Sequence, residues 1–151
     1  MLNRFFIFYL IIFNLFFFNV FSEEQISFDV NEIEIIDGGN KIIGKNRGII
    51  NTNSGITIEA NEFEFDKKKN ILNAQGNIII KDRVNNYNFT AQYISYFKND
   101  EKIELRGKSE ALIDMNLKFN SENITILRND MIINSDVGAT ILDNKSLTRY
   151  E

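Results

Sequence analysis

The sequence predicts an all-β fold made of about four repeats of 30 residues. Apolar residues recur at a nearly constant interval, because Phe28, Ile58, Phe89 and Phe119 are separated by 30, 31 and 30 residues. Within each repeat, apolar and polar residues alternate with the period of two that is typical of strands. Polar turn segments separate the alternating runs. A chain of 151 residues has room for one such domain and not for two independent cores.

The first 22 residues differ from the rest and resemble a secretory signal peptide. Arg4 supplies a short positive end, an apolar stretch follows, and Ser22 is small enough for a cleavage position. We expect cleavage after Ser22, which leaves residues 23–151 as the mature domain. A retained anchor helix is the alternative, although the apolar stretch is shorter than the roughly 20 residues that usually span a bilayer. Cleavage predicts export, and the periplasm of a Gram-negative bacterium is the expected destination.

The composition excludes several classes of function. The chain contains no Cys and no His, so it has no thiolate or imidazole for a metal site, and we expect no cofactor. The net charge of −4 argues against nucleic-acid binding, which needs a basic face. Glu62 and Glu64 could form a carboxylate pair, but they alternate with Phe63 and Phe65 and are expected to face solvent. We therefore predict that the protein is not an enzyme. Lys67 to Lys69 are expected to form a solvated turn.

The first alternating run of each repeat contains a slip in its pattern. In the second repeat, Ile58 and Ala60 share one parity and Phe63 and Phe65 share the other. The same slip occurs in the other three repeats. Because a slip of one residue moves side chains to the opposite face, an uninterrupted strand cannot bury both sets. The pattern therefore predicts a bend or bulge in the middle of each run, with a small residue such as Ala60 on its inside.

The second run of each repeat contains a glycine, and Gly76, Gly107 and Gly138 are each 31 residues apart. A glycine inside a strand usually marks a bulge or a close approach of another backbone. We therefore expect these glycines to form a second structural corner in each repeat, stacked from repeat to repeat. Stacked β-units bury one continuous interior and leave unpaired strand edges at the two ends. Such edges are candidates for pairing with another chain.

The segment from Ile58 to Asp82 resembles the repeat of the OstA-like lipopolysaccharide-transport proteins. That repeat contains an apolar-x-Ala run, an aromatic-acidic turn, and a second run ending in Gly-Asn and an apolar residue. Ala74 and Gly76-Asn77 match the second run here. The third repeat departs from the pattern at Lys108, which replaces the Asn. The resemblance extends over residues 26–146, with weaker first and fourth copies.

The resemblance implies a half-open β-jellyroll, or β-taco, over residues 23–151. Its apolar interior would carry the lipid A acyl chains of lipopolysaccharide through the periplasm, as part of a bridge that serves assembly at the outer membrane. The implied partners are lipopolysaccharide, other β-jellyroll domains of the same transport system joined by edge-strand pairing, and an outer-membrane barrel. Leu147 falls 30 residues after Leu117 and is expected to open a fifth unit. That favours the N-terminal domain of the assembly barrel over a soluble bridge protein or an inner-membrane-anchored member.

The candidate lipid-binding residues are apolar positions that the corrected alternation places on the inward face. They are Phe28, Ile33, Ile58, Phe63, Phe65, Phe89, Ile94, Tyr96, Ile103, Phe119 and Ile124. The same alternation is equally expected of an ordinary closed core, and the residues alone leave both interpretations open. The alternative function is a structural or adhesive secreted β-solenoid with no role in lipid transport. Such proteins usually have a shorter period and ladders of Asn or Asp at their corners.

Overall fold

The structure is a computed structural model that describes residues 26–150, so the predicted signal peptide at residues 1–22 lies outside the described residues. The strands are β1 (Ile26–Ile36), β2 (Lys41–Thr52), β3 (Ile56–Ala60), β4 (Glu62–Asp66), β5 (Ile71–Asp82), β6 (Tyr87–Phe97), β7 (Lys102–Ile113), β8 (Leu117–Leu127), β9 (Ile132–Asn134), β10 (Thr140–Asp143) and β11 (Thr148–Tyr150). Helical structure in this part of the chain consists of two 3₁₀ turns, Asp37–Gly39 and Lys98–Asp100. The all-β prediction is confirmed. Among residues 26–150, no helix is long and apolar enough to cross a membrane.

All the described strands belong to one antiparallel sheet, in which neighbours in sequence are neighbours in space. β3 and β4 act as the two halves of one bent strand, because both pair with β5 on one side and with β2 on the other. β9 and β10 are related in the same way, since both pair with β8. Each repeat is therefore a pair of long bent strands joined by a turn.

The bends coincide with shifts in strand register. Between β5 and β6 the register shifts between Gln75 and Ile78, so two residues on β5 face one residue on β6. The same shift separates β7 from β8 between Arg106 and Ser109. A bulge of this kind bends the strand and lets alternation resume with the opposite parity. The bends predicted from the slipped pattern and the glycine positions lie side by side on a single fold line, so each repeat has one corner and not two.

The fold line divides the sheet into two halves that face each other, here called wall A and wall B. Wall A consists of residues 26–30, 48–52, 56–60, 78–82, 87–91, 109–113, 117–121, 140–143 and 148–150. Wall B consists of residues 32–36, 41–45, 62–66, 71–75, 93–97, 102–106, 123–127 and 132–134. We call the side opposite the fold line the mouth. There the turns that end wall A approach the turns that end wall B.

The core lies between the two walls and consists of inward side chains from every repeat. The register places Phe63, Ala74, Ile94, Leu105 and Ile124 in one row across wall B. The facing row across wall A comprises Ile50, Ile58, Ile80, Phe89 and Ala111. All ten side chains are buried. The walls also meet through aromatic rings, because the ring centroids of Phe28 in wall A and Phe65 in wall B are 6.1 Å apart.

The outer face of the sheet is polar and carries ion pairs between neighbouring strands. Lys41 on β2 lies 2.9 Å from Glu64 on β4, and both side chains are partly exposed. Exposed pairs of this kind contribute little to stability. Glu62 is exposed, as the alternation predicts. Lys67 to Lys69 are exposed in the turn after β4, where Lys69 lies 3.7 Å from Asp66.

Candidate functional site

The interior between the walls is the candidate site, and the structure places the eleven predicted residues in three groups. Eight are buried and face inward: Ile58, Phe63, Phe65, Phe89, Ile94, Tyr96, Ile103 and Ile124. Phe28 and Phe119, near the two ends of the sheet, are half-buried and pack against that cluster. Ile33 is 49% exposed. Ten of the eleven residues therefore form one continuous apolar body, and Ile33 extends it toward solvent.

The apolar inward surface is uncovered at its N-terminal end. Ile33 pairs with Gly44 and Ile35 pairs with Ile42, whose next partner is Phe65. Directly opposite residues of an antiparallel pair share a face, so Ile33 and Ile35 belong to the inward face. Ile35 is nevertheless 62% exposed. β1 is the outermost described strand at this end, so within the described sheet a neighbouring strand lies on one side of these side chains.

The inward apolar surface is also partly uncovered at the C-terminal end of the described sheet. The inward row of wall A runs from Phe119 through Ile141 to Tyr150, by the pairing of β8, β10 and β11. Tyr150 is 56% exposed, whereas Phe119 is half-buried. Leu147, predicted to open a fifth unit, lies in the turn before β11 and is 81% exposed. The apolar interior is therefore partly uncovered at both ends of the described sheet.

The corner glycines differ from one another. Gly76 and Gly107 have φ angles of 79° and 75°, in the region that disfavours other residues. Each precedes a second residue with positive φ, Asn77 or Lys108, so two left-handed residues make each bulge. In β2 the same role falls to Asn46 and Arg47, with φ angles of 62° and 63°. Gly138 lies between β9 and β10, its φ is outside the positive region, and a Cβ there would meet nothing within 4 Å.

A buried polar cluster crosses the mouth and links the walls. Arg128 follows β8 in wall B, and its Nε donates a hydrogen bond to Oδ2 of Asp82 at the end of β5 in wall A, at 2.7 Å. Its Nη2 donates to the carbonyl oxygen of Ser54, in the turn that ends wall A, at 3.1 Å. Asp82 is 1% exposed and Arg128 is 6% exposed. Few other charged side chains of the described chain are buried to this degree.

Two further side chains complete the cluster. Glu101, in the turn after β6, accepts a charge-assisted hydrogen bond from Nη1 of Arg128. Its other carboxylate oxygen accepts a hydrogen bond from the hydroxyl of buried Tyr96 at 2.7 Å. The Tyr96 hydroxyl also lies 3.4 Å from the Ser54 hydroxyl across the mouth. We call Ser54, Asp82, Tyr96, Glu101 and Arg128 together the mouth cluster.

Asp82 also caps its own turn. Its Oδ1 accepts hydrogen bonds from the backbone amides of Val84 and Asn85, each at 3.1 Å. Burial raises the pKa of Asp82, but the hydrogen bonds from Arg128 and Asn85 outweigh burial, and the net pKa lies below its usual value. Asp82 is therefore ionised at neutral pH and paired with Arg128.

Ser109 is an exception to the apolar character of the interior near the fold line. It is 2% exposed on wall A, and its hydroxyl has no hydrogen-bond partner among the described residues. A buried hydroxyl without a partner costs about 1–3 kcal/mol.

The mouth cluster was missed by the sequence interpretation. Glu101 and Arg128 lie in the polar turns between the alternating runs, where the sequence pattern gives no sign of burial. A signal was nevertheless present at Asp82, because Ile78, Ile80 and Asp82 alternate in that order and the carboxylate takes an inward position. An acidic residue at an inward position requires a buried partner.

A shallow depression of about 460 Å³ also lies on the outer face of wall B. Polar and charged side chains such as Glu62, Asn73 and Arg106 contribute to its lining, together with the exposed ring of Tyr93. It faces away from the apolar interior. Among residues 26–150, no group of three or more acidic side chains is arranged to hold a metal ion. The interior can therefore contact an apolar molecule, and at its mouth the buried guanidinium of Arg128 lies between two carboxylates.

These features define a β-jellyroll built from one bent antiparallel sheet. The crystal structure of LptH, the LptA homologous periplasmic component of the conserved lipopolysaccharide transport device from Pseudomonas aeruginosa, superposes on this chain with a TM-score of 0.69. The superposition covers 76% of this chain and 84% of LptH, at 14% sequence identity. That similarity shows the fold. No protein-family model and no curated protein sequence matches the chain.

Proposed function

We propose that this protein is a periplasmic component of lipopolysaccharide transport, and that its apolar interior receives the acyl chains of lipid A. The observation that carries the proposal is the inward apolar surface, which runs from a buried centre to uncovered residues at each end of the sheet. A closed core would end in polar residues where it meets solvent. Here it ends in Ile33 and Ile35 at one end and in Tyr150 at the other.

Acyl chains suit this interior energetically. Each methylene moved from water into an apolar environment contributes roughly 0.8 kcal/mol. The interior provides contact for several methylenes, because its rows of Ile, Leu and Phe continue across five consecutive strands. The similarity to LptH supports the same function, since LptH is a periplasmic component of a lipopolysaccharide transport device.

The edges of the sheet support a place in a bridge between membranes. The strand order begins with β1 and ends with β11, and each pairs with one neighbour within the described sheet. An exposed strand edge can add a strand from another chain. We propose that β-jellyroll domains of the same transport system pair with these edges, which would join their apolar interiors end to end. Delivery to an outer-membrane barrel would complete the route.

The test uses two neighbouring isoleucines that face opposite ways. Ile35 lies on the inward face and is 62% exposed, whereas Ile36 lies on the outward face and is 37% exposed. Both can therefore become Asn with little effect on folding. Binding of purified lipopolysaccharide to residues 23–151 is measured by fluorescence titration, at concentrations where sedimentation shows a monomer.

We expect Ile35→Asn to weaken binding about tenfold or more, because a buried Ile side chain contributes roughly 1.5–3 kcal/mol. Ile36→Asn should bind like the wild-type chain. Equal effects of the two substitutions would contradict an inward binding surface. A complete absence of lipopolysaccharide binding by the wild-type chain would instead favour a structural or adhesive β-protein.

A further inference from the structure

We propose that the mouth cluster is a clasp that holds the two walls together, and that its opening admits a ligand to the interior. The proposal rests on the proposed function for the nature of the ligand, but the clasp itself is defined by contacts within the chain. Arg128 directly follows wall B, and it bonds to Asp82 in wall A and to Ser54 in the turn that ends wall A. The paired residues are 46 and 74 positions apart in sequence.

The chemistry of the mouth differs from that of the rest of the interior. Near the fold line the walls meet through apolar residues such as Ile58, Ile78 and Ile94. At the mouth they meet through a guanidinium, two carboxylates and two hydroxyls. A buried ion pair is often no more stabilising than apolar residues of similar volume. The charges at the mouth therefore need an explanation other than stability.

A clasp that opens supplies that explanation. When apolar walls separate, the exposure of their surface to water raises the free energy of the protein. When a buried ion pair separates, water solvates both charges and offsets much of the lost attraction. The mouth is consequently the side on which the walls can part at least cost. The fold line on the other side is held by the continuous backbone of bent strands and stays closed.

The interior is filled by its own side chains in this closed arrangement. Phe89 is 1% exposed and Tyr96 is fully buried. An acyl chain can enter only if the walls move apart or if it threads inward from an end of the sheet. The Tyr96 hydroxyl bonds to Glu101, so the clasp also fixes an aromatic ring that faces the interior. Opening the clasp would free that ring to move aside.

Two aspartates allow the effect of the ion pair to be separated from the effect of turn capping. Asp82 caps the turn after β5 through the amides of Val84 and Asn85. Asp143 caps the turn after β10 in the same way, through the amides of Lys145 and Ser146. The contacts of Asp143 stay within its own turn. Asp82→Asn therefore removes the charge paired with Arg128 and preserves a capping oxygen, and Asp143→Asn is its control.

The experiment measures the opening of the mouth directly. The chain contains no Cys, so spin labels can be placed by substitution alone. Labels at exposed Asn53 and Met131 report the distance across the mouth. Labels at Asn53 and Met115 report a distance within wall A and serve as the folding control. Dipolar electron paramagnetic resonance is recorded without lipid on residues 23–151 and on each aspartate variant.

We expect Asp82→Asn to lengthen or broaden the distribution of cross-mouth distances relative to the wild-type chain. The distance within wall A should stay constant, and Asp143→Asn should change neither distance. A folded Asp82→Asn chain with an unchanged cross-mouth distance would overturn the clasp. If Asp82→Asn does not fold, Glu101→Gln decides the question in the same way, because it removes the second carboxylate from Arg128.

A second readout links the clasp to ligand entry. Lipopolysaccharide should associate several-fold faster with Asp82→Asn than with the wild-type or Asp143→Asn chains, because fewer closed molecules must open first. Equal association rates would show that the ligand does not enter through the mouth. Because the label distances are recorded without lipid, the clasp can fail while lipopolysaccharide binding stands, and binding can fail while the clasp stands.

Discussion

Substitution of the three corner glycines tests how the sheet is bent. At Gly76 and Gly107 any other residue must adopt a positive φ, which costs about 1–2 kcal/mol for an ordinary side chain. Gly76 carries a second cost, because an added Cβ would lie 3.1 Å from Cβ of Asn61 and 2.7 Å from its Nδ2. Asn61 cannot readily move away. Its backbone N–H donates a hydrogen bond to the carbonyl oxygen of Gly76, and its side-chain oxygen accepts a hydrogen bond from Arg47.

Gly107 is less crowded, and Gly138 is not crowded at all. A Cβ at Gly107 would lie 3.2 Å from Cβ of Gln92, an exposed residue that can shift by a few tenths of an ångström. A Cβ at Gly138 would meet nothing within 4 Å, and its backbone does not need a glycine. We therefore expect losses of about 2–3 kcal/mol for Gly76→Ala, about 1–2 for Gly107→Ala, and under about 0.5 for Gly138→Ala.

A β-branched residue should destabilise a left-handed position more than Ala does, and we expect Gly107→Val to lower the free energy of unfolding by about 2–3 kcal/mol. The assay is urea unfolding of residues 23–151 followed by circular dichroism, with the slope of the transition checked for constancy between variants. The ordering is the informative result. Equal losses at the three glycines, or unchanged stability of Gly107→Val, would show that the corners do not depend on left-handed backbone.

Two further predictions concern buried polar groups. Ser109→Ala should stabilise the fold by about 1 kcal/mol, because it removes a buried hydroxyl that lacks a partner among the described residues. Urea unfolding measures the change. A loss of stability of more than about 1 kcal/mol would show that the hydroxyl has a partner in solution. Asp82→Asn should lose roughly 2 kcal/mol at pH 7, and its difference from the wild-type chain should vanish in acid. The folded pKa of Asp82 is depressed, so its contribution is full above the unfolded value of about 3.9 and is lost as the pH falls through the folded pKa. Urea unfolding of both chains from pH 7 to pH 2 measures the difference, and a difference that grew on acidification would contradict the pairing with Arg128.

The bends of the sheet could be predicted from sequence because their signal is local. The parity slip between Ala60 and Phe63 lies within one run, and it requires a bulge wherever both parities are apolar. The alignment of all bends on one fold line could not be predicted in this way. It depends on which residue pairs across strands, such as Gln75 with Tyr93 and Ile78 with Ala91. Cross-strand register is not visible in a single strand's pattern.

The left-handed corner of the first repeat was also beyond the sequence signal. The bulge in β2 is made by Asn46 and Arg47, and Gly48 follows it with an ordinary pairing to Val30. Asn tolerates positive φ better than most residues, whereas Arg does so at a cost. The interactions of neighbouring strands compensate, since Arg47 bonds to Glu59 at 2.6 Å. Glycines therefore lie at the left-handed corners of β5 and β7, whereas the corner of β2 has none.

The candidate site illustrates the difference between a face and its surroundings. Ile33 and Ile58 both lie on the inward face of the sheet. Alternation carries no information on what covers that face, and Ile33 is 49% exposed whereas Ile58 is fully buried. The mouth cluster is less predictable still, because Arg128 and Asp82 are 46 residues apart and meet only after the sheet has folded over.

Photo-crosslinking to lipopolysaccharide tests directly whether the lipid enters the apolar interior. A diazirine-bearing amino acid is placed at inward Phe65, Phe89 or Ile94, and in separate chains at outward Glu64 or Ser95, and the protein is exposed to ultraviolet light with purified lipopolysaccharide. Phe89 and Ile94 are five residues apart yet both face inward, because the corner lies between them. We expect crosslinks from the three inward positions and none from the two outward ones. Crosslinks from the outward positions, or from neither set while the chain remains folded, would contradict binding of lipid in the interior.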